Sequence, residues 1–556
     1  MRNHFYRALA ALSSVVLVSC GGVSETTSSG SVGVELSLDP FSVTVLALEH
    51  LNSGFNVDLT VVYKAVDNKS GFNLKLLDPD NVLASSLVNL PETQGSNIIT
   101  LWTSSNLAPG VYKGALTIEA CSDNCTVIRG SVELPYTITV QPLNHLTPLR
   151  SLAGVTDWQT EGGNNAHNNY VPVSLDPSKF NSRWLVSSRD LHSLPSSGFA
   201  DSVPAPVTDA SHHQLAVQTR TGLAAFDETD GTKMWEVDPS DGVPKALAFY
   251  NGNVYAGVED LGPSFLEAYA ESNGALLFDT PLTGCTGYAP GAPVVVGSTA
   301  FILACMLDAF DASAGTPVWS GPSISGAGSP AADNQNMYFY HPHETTPGKP
   351  GTAGFTVLDQ ATGTLQWQIS GEADPLSTDS EILNGDSVML DGAGGAVVNL
   401  DGSLLHGPIV RYDLTTKQRI WEFGQSGPGI LSAPQSIAVG NGMVYVVTEP
   451  DGTVPGDGLY VLDLAKGAVQ WKWYPPYGGT IDCILVTKNL MFVGVTGLDG
   501  VQTLNALDLD TRKVVWQLPI AATSLSISPS GILYVGTSVY TNNFPYGDAL
   551  EAINLH

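Results

Sequence analysis

The side chains that could do chemistry are few and scattered. His212 and His213 are adjacent, and His341-Pro-His343-Glu344 sets two imidazoles and a carboxylate in one short stretch. A zinc-type site needs three or four such ligands converging on one ion. Neighbours on a strand point to opposite faces, so His212 and His213 are expected not to share an ion. Residues 341–344 read as a solvated loop. No EF-hand spacing and no Ser/His/Asp grouping is legible, so the expectation is no metal site and no catalytic set. The acids Glu372, Asp374, Asp379 and Glu381 gather in one segment, expected beside loop aromatics on one face of the fold.

What positions these groups is a repeat. Met306-Leu-Asp-Ala-Phe-Asp311-Ala-Ser-Ala-Gly315-Thr-Pro-Val-Trp319 reads as a strand, a tight turn and a second strand. Its alternation has period two, and Asp311 and Gly315 supply turn chemistry. The pattern recurs as Asp227/Trp235, Ala270/Phe278, Asp359/Trp367, Asp413/Trp421, Asp463/Trp471 and Asp508/Trp516, and half of it ends the chain at Asn554. Steps of 41–54 residues in an all-β pattern indicate four-stranded propeller blades. Trp184 is an orphan with no Asp strand before it, and Asn554 lacks a Trp strand after it. The N-terminal strand around Trp184 is therefore expected to complete the blade that the C-terminus begins, giving eight blades.

The Asp-x-x-x-Gly-x-x-x-Trp repeat resembles the PQQ-type β-propeller repeat over residues 155–556, and Trp158–Tyr170 is similar to the lead-in of such propellers. That family holds quinoprotein dehydrogenases and the non-catalytic BamB-like lipoproteins of the β-barrel assembly machinery. For a dehydrogenase the resemblance implies PQQ, Ca²⁺, an Asp base, a Trp floor and two adjacent disulfide-bonded cysteines. No two cysteines here are adjacent, and seven of the ten Trp residues are blade residues. No cofactor is expected, with PQQ and Ca²⁺ as the alternative. The repeat Asp residues read as turn acceptors, and the blade Trp residues as wedges between sheets.

Lys+Arg 23 against Asp+Glu 53 leaves a net charge of −30, which repels phosphate backbones and excludes nucleic acid as a partner. Residues 1–19 have Arg2 and Arg7 near a short apolar run, the pattern of a signal peptide. Leu17-Val18-Ser19-Cys20 resembles a lipobox, implying that Cys20 is acylated and holds the protein on a bacterial outer membrane, facing either side. Residues 20–33 form a flexible tether. Residues 34–142 carry seven expected strands, Val34–Leu38, Ser42–Leu48, Asn56–Tyr63, Phe72–Leu77, Ile98–Thr103, Gly110–Ala120 and Val127–Val140, separated by turn signals. That spacing implies an immunoglobulin-like β-sandwich. Residues 143–170 are linker and lead-in, and 171–556 the propeller.

Cysteine usage fits an oxidising compartment. Cys121 and Cys125 read as a disulfide at a hairpin tip. Cys285 and Cys305 fall near the start of an inner strand and the end of its neighbour in the third blade, where a bond is open. Cys483 is left over as a small buried hydrophobe.

With the strands of a blade named a to d outward, the Asp strand is c and the Trp strand d. Long insertions then lie between b and c, at His341–Gly354, Asp391–Pro408, Glu449–Gly458 and Ser538–Asp548. The b–c and d–a connections share one face, which also collects Trp473, Tyr474, Tyr477, Tyr540, Phe544 and Tyr546. Rigid aromatics with polar neighbours are the composition of binding hot spots. The reading is a lipid-anchored, exported, monomeric scaffold that binds protein or polypeptide through this face. The alternatives are a PQQ/Ca²⁺ dehydrogenase and a surface adhesin or glycan binder.

Overall fold

In the computed structural model, residues 34–556 are described except 40, 49–53, 64–72, 85–94, 105, 123–126, 143–145, 188–203, 220–221, 239–241, 260–261, 287–288, 324–327, 342–353, 371–387, 401–407, 425–435, 451–455, 477, 499–500 and 538–548. The signal peptide, Cys20 and the tether therefore lie outside the described residues. Among the described residues, no helix is long and apolar enough to cross a membrane.

The seven expected strands of the N-terminal region form, each within a few residues of its expected bounds. Val34–Asp39, Gly54–Tyr63 and Gly95–Trp102 make one sheet. Val43–Leu48, Val127–Gln141, Gly110–Ser122 and Asn73–Leu77 make the other, in that order. Alternate residues point inward, as the pleat requires: Val57, Leu59 and Val61 from one sheet meet Leu116, Ile118, Leu134 and Ile138 from the other in a single core. Two sheets around one core make a β-sandwich.

The rest of the described chain forms eight further sheets, seven of four strands and one with a fifth. Each is a blade, and in blades 1 to 6 the strands follow chain order. Blade 1, for example, runs Val207–Asp209, Gln214–Gln218, Leu223–Asp227, Lys233–Val237. Blade 8 is the hybrid: Ala549–Asn554 pairs antiparallel with Asn181–Ser187, and Ala552 faces Trp184. The ring is closed by the N-terminal strand, as the orphan Trp implied. In every blade the residue two before the Asp position faces the Trp position, as in Ala225↔Trp235, Ala309↔Trp319 and Ala506↔Trp516.

The repeat owes its composition to the joint between blades. The Asp carboxylate accepts backbone N–H groups of its own turn, Ser313 and Ala314 at Asp311 and Thr362 at Asp359. The residue four after the Asp closes the turn in the left-handed region, and it lies on the Trp of the preceding blade. At Gly363 (φ 69°) a Cβ would stand 2.6 Å from the Trp319 ring, so a side chain has no room. Where the sequence has Lys417 (φ 58°) and Arg512 (φ 59°) instead, the cations lie over Trp367 and Trp471, 5.8 and 5.5 Å from the ring centroids. The indole N–H completes the joint by donating to the next blade's carbonyl, Trp184 to Glu228, Trp319 to Gln360 and Trp421 to Leu464.

The lead-in runs round the axis at the ends of the inner strands, on the face of the a–b and c–d turns. Leu152 N–H donates to Pro529 of blade 8, and the Trp158 and Gln159 carbonyls accept from Thr208 of blade 1 and Phe249 of blade 2. Thr160 donates to Pro293 of blade 3. The carbonyls of Asn165, Ala166, Asn168 and Asn169 then accept from Ala332, Leu390, Val439 and Val486 of blades 4, 5, 6 and 7. All eight blades are tied in order. Gly162 (φ 68°) permits the fold-back within this circuit, because a Cβ there would stand 2.6 Å from the His167 carbonyl carbon.

Candidate functional site

The two faces of the propeller are unlike. On the a–b face the lead-in occupies the ends of the inner strands. The opposite face carries long b–c connections in blade 4 (His341 to Gly354), blade 6 (Thr448 to Gly458) and blade 8 (Thr537 to Ala549). Blade 5 requires a correction. Its strand b is Gly395–Asn399, so Asp391–Gly394 is an a–b turn and only 400–408 is the b–c connection. The turn follows from Gly392 and Gly394, both at positive φ.

The aromatic set is placed only in part. Trp473 is the last residue of strand d in blade 6 rather than a loop residue, and it packs half-buried on the core shared with blade 7. Tyr474 follows, its ring beside Gly458. Tyr477, Tyr540, Phe544 and Tyr546 lie outside the described residues, as do His343, Glu344 and the acids Glu372, Asp374, Asp379 and Glu381.

His212 and His213 are not on a strand. They stand in the a–b turn of blade 1, where His213 (φ 55°) takes the left-handed conformation, so the period-two rule does not apply. They do go to different partners. His213 Nδ1 lies 3.8 Å from Glu228. His212 Nδ1 lies 2.6 Å from Asp209 Oδ2 and 3.3 Å from Glu271 Oε2. The three ligand atoms of Asp209, His212 and Glu271 all fall within 4.8 Å of one another. The His212 side chain is 61% exposed, whereas those of Asp209 and Glu271 are 6% and 7% exposed. Val207, Leu215, Trp235 and Phe249 line a small apolar pocket with Asp209 and Glu271 at its edge.

The charges explain the titration of this group. Burial, and then the neighbouring Asp209, push the Glu271 carboxyl up to about 7. Burial also raises Asp209, but hydrogen bonds from Ser211 and His212 outweigh it and hold that carboxyl below its ordinary value. His212 is raised, first by its hydrogen bond to Asp209 and then by the charge of Glu271. A third acid, Asp157 of the lead-in, accepts Ala210 N–H at 2.8 Å and is raised by burial. One repeat position signals the cluster in the sequence. The residue after the Asp position is Glu in blades 1 and 2 (Glu228, Glu271) and Ala312, Gln360, Leu414, Leu464, Leu509 and Leu555 elsewhere.

Glu228 and Glu551 are also buried acids. Glu228 accepts from Ser530 Oγ (2.6 Å) and Tyr534 OH (2.9 Å), and burial raises its pKa. Glu551 accepts from Ser182, its other oxygen has no hydrogen-bond partner among the described residues, and burial pushes it to about 7.

A quinone–calcium site on the axis would need clustered carboxylates on the inner strands. Among the described residues those strands carry two, Asp209 in blade 1 and Asp482 in blade 7. Asp482 is already engaged by the Thr480 and Thr496 hydroxyls. These two described carboxylates do not by themselves make such a cluster. Of the cysteines, Cys121 and Cys305 are disulfide-bonded. Cys483 is free and buried. Cys285 belongs to the outer strand of blade 2, Leu276–Thr286, rather than to an inner strand of blade 3. Its side chain and Cys125 lie outside the described residues.

The sequence model of the family described as "Outer membrane protein assembly factor BamB" matches residues 219–406 and 405–549. No curated protein matches the sequence. Among solved structures, a europium-containing methanol dehydrogenase is similar at 14% identity and TM-score 0.55, covering 72% of this chain and 98% of its own. A quinohemoprotein alcohol dehydrogenase from Comamonas testosteroni is similar at 14% and 0.52, covering 72% and 81%. BamB from Moraxella catarrhalis gives 13% and 0.47, covering 67% and 99%. Identities this low show the propeller fold alone, since one fold serves many activities. The matched repeats span more than half of the sequence, and the chain belongs to the BamB family of β-propeller proteins.

Proposed function

We propose that this protein is a non-catalytic, lipid-anchored scaffold of the cell envelope that engages protein or polypeptide partners, in outer membrane protein assembly. The observation that carries this reading is the asymmetry of the propeller. The lead-in ties up the ends of the inner strands on the a–b face. The long b–c connections belong to the other face. The family's description, an outer membrane protein assembly factor, supplies the process. Cys20 is the lipidated residue, and the sandwich, read as immunoglobulin-like, is a spacer between the anchor and a monomeric propeller. Pairing of Cys121 with Cys125 and of Cys285 with Cys305 suits export to an oxidising compartment.

Tyr540, Phe544 and Tyr546 supply the contact surface, with Trp473, Tyr474 and Tyr477 beside them. Replacing Tyr540, Phe544 and Tyr546 together with Ala is expected to abolish capture of an outer-membrane assembly partner in envelopes while leaving the melting temperature unchanged. Undiminished capture by the folded variant overturns the assignment of this face.

A further inference from the structure

In three blades an Asp stands where the inner strand gives way to the a–b turn: Asp209 is the last residue of its strand, and Asp333 and Asp391 directly follow theirs. Two of them have a private partner. The Asp391 side chain is buried and paired with Arg411 at 2.7 Å, and Asp333 accepts the Tyr338 hydroxyl at 2.6 Å. Asp209 instead faces a second carboxylate, Glu271 of the next blade, and both are within reach of the exposed His212 imidazole. Asp157 of the lead-in stands on the adjoining turn residue, Ala210. Buried charges need compensation, and here two buried acids share one exposed imidazole where blade 5 has a guanidinium.

We propose that Asp209, His212 and Glu271 form a binding site for a divalent transition cation of the zinc type, bridging blades 1 and 2. One nitrogen and two carboxylate oxygens are a donor set that such ions accept, with the fourth position left to water. The imidazole selects them over calcium or magnesium, which take oxygen ligands. Bond lengths of about 2.0–2.2 Å set tetrahedral ligands about 3.3–3.5 Å apart. The His212–Glu271 separation of 3.3 Å already matches. The His212–Asp209 separation of 2.6 Å has to open by less than about 1 Å, and the exposed His212 ring is the part able to move. The remaining oxygens are held. Asp209 Oδ1 accepts Ser211 N–H and Oγ–H, and Gln214, with its amide nitrogen turned inward, donates to Glu271 Oε1 at 3.2 Å. That fixes the orientation of both carboxylates as an outer shell does in metal sites.

The test is calorimetric titration of the untagged, chelator-stripped protein with zinc, beside His212→Ala and Glu271→Gln. Both variants spare the Trp235 bond, which goes to the Glu271 carbonyl, and their zinc-free melts check that they fold. The site predicts one zinc per chain, binding at least tenfold weaker in each variant, and no displacement by millimolar calcium. Absence of binding to the wild type, or zinc binding undiminished in both folded variants, overturns the proposal. So does calcium displacing zinc at equal concentration.

Discussion

The a–b face of the propeller and the b–c face are made from the same eight blades, yet they are held together differently. On the a–b face directional contacts tie the lead-in to the blades and the blades to one another. Backbone carbonyls of the lead-in meet inner-strand N–H groups, Asp residues cap their own turns, and indole N–H groups reach across to the next blade. Such contacts have one geometry, and a buried donor left unmet costs about 1–3 kcal/mol. The b–c face is where b–c connection lengths diverge, from two residues (Ala304 and Cys305) in blade 3 to the twelve positions 342–353 in blade 4. The contrast teaches that one face conserves the ring while the other is at liberty to vary, and variation is where recognition is built.

Melting experiments can break that contrast. The largest effect is expected at Gly162. Valine there combines a disfavoured φ of 68° with a Cβ 2.6 Å from the His167 backbone, and a loss of about 3–5 kcal/mol is expected. A melt within 0.5 kcal/mol of wild type (about the level of an ordinary surface change) would show that the circuit is not structural.

The next effect lies in the buried acids. The Glu551 carboxyl is raised from 4.5 to about 7 by burial. The folded protein therefore keeps a proton that the unfolded chain releases, and stability falls as pH rises from 4.5 to about 7. Below that window the group costs nothing, and above it the full penalty of about 3 kcal/mol applies. Glu551→Gln, which can still accept from Ser182, is expected to be more stable than wild type at pH 8 by about 1–3 kcal/mol and nearly equal to it near pH 4. Urea melts at the two pH values check the slope.

The smallest effect sharpens the account of the joints. Lys417→Gly relieves a left-handed φ of 58° but removes a cation over Trp367. The two terms are each about 1 kcal/mol and opposed, so the melt should change by less than about 0.5 kcal/mol. Lys417→Val keeps the strain and loses the cation, and should cost about 1–2 kcal/mol.

The frame was largely legible in the sequence because it is periodic. The Asp/Gly/Trp spacing predicts the blades and, through the unpaired Trp184 and Asn554, the closing strand. Turn signals place the sandwich strands to within a few residues. The circuit of 157–171 is not periodic. Its Gly, Asn and His residues take conformations fitted to the inner ends of seven different blades, which no local rule supplies. The same holds for Asp391–Gly394, where two glycines make a turn that resembles part of an insertion. The Asp209–His212–Glu271 group was hidden because its members come from different blades. It surfaces only when the repeats are laid over one another and the Glu after the Asp position stands out. His212 and His213 misled for a simpler reason, since a residue at φ 55° ends the strand on which the alternation rule depends.

The most direct test of the account compares the faces in intact envelopes. A photo-crosslinking residue is placed at Tyr540, in the b–c connection of blade 8, or at Thr362, exposed in the c–d turn of blade 4. Adducts with outer-membrane assembly components from position 540 and none from position 362 are predicted. Adducts from position 362 alone would contradict the account, because the face tied down by the lead-in would then be the one that binds.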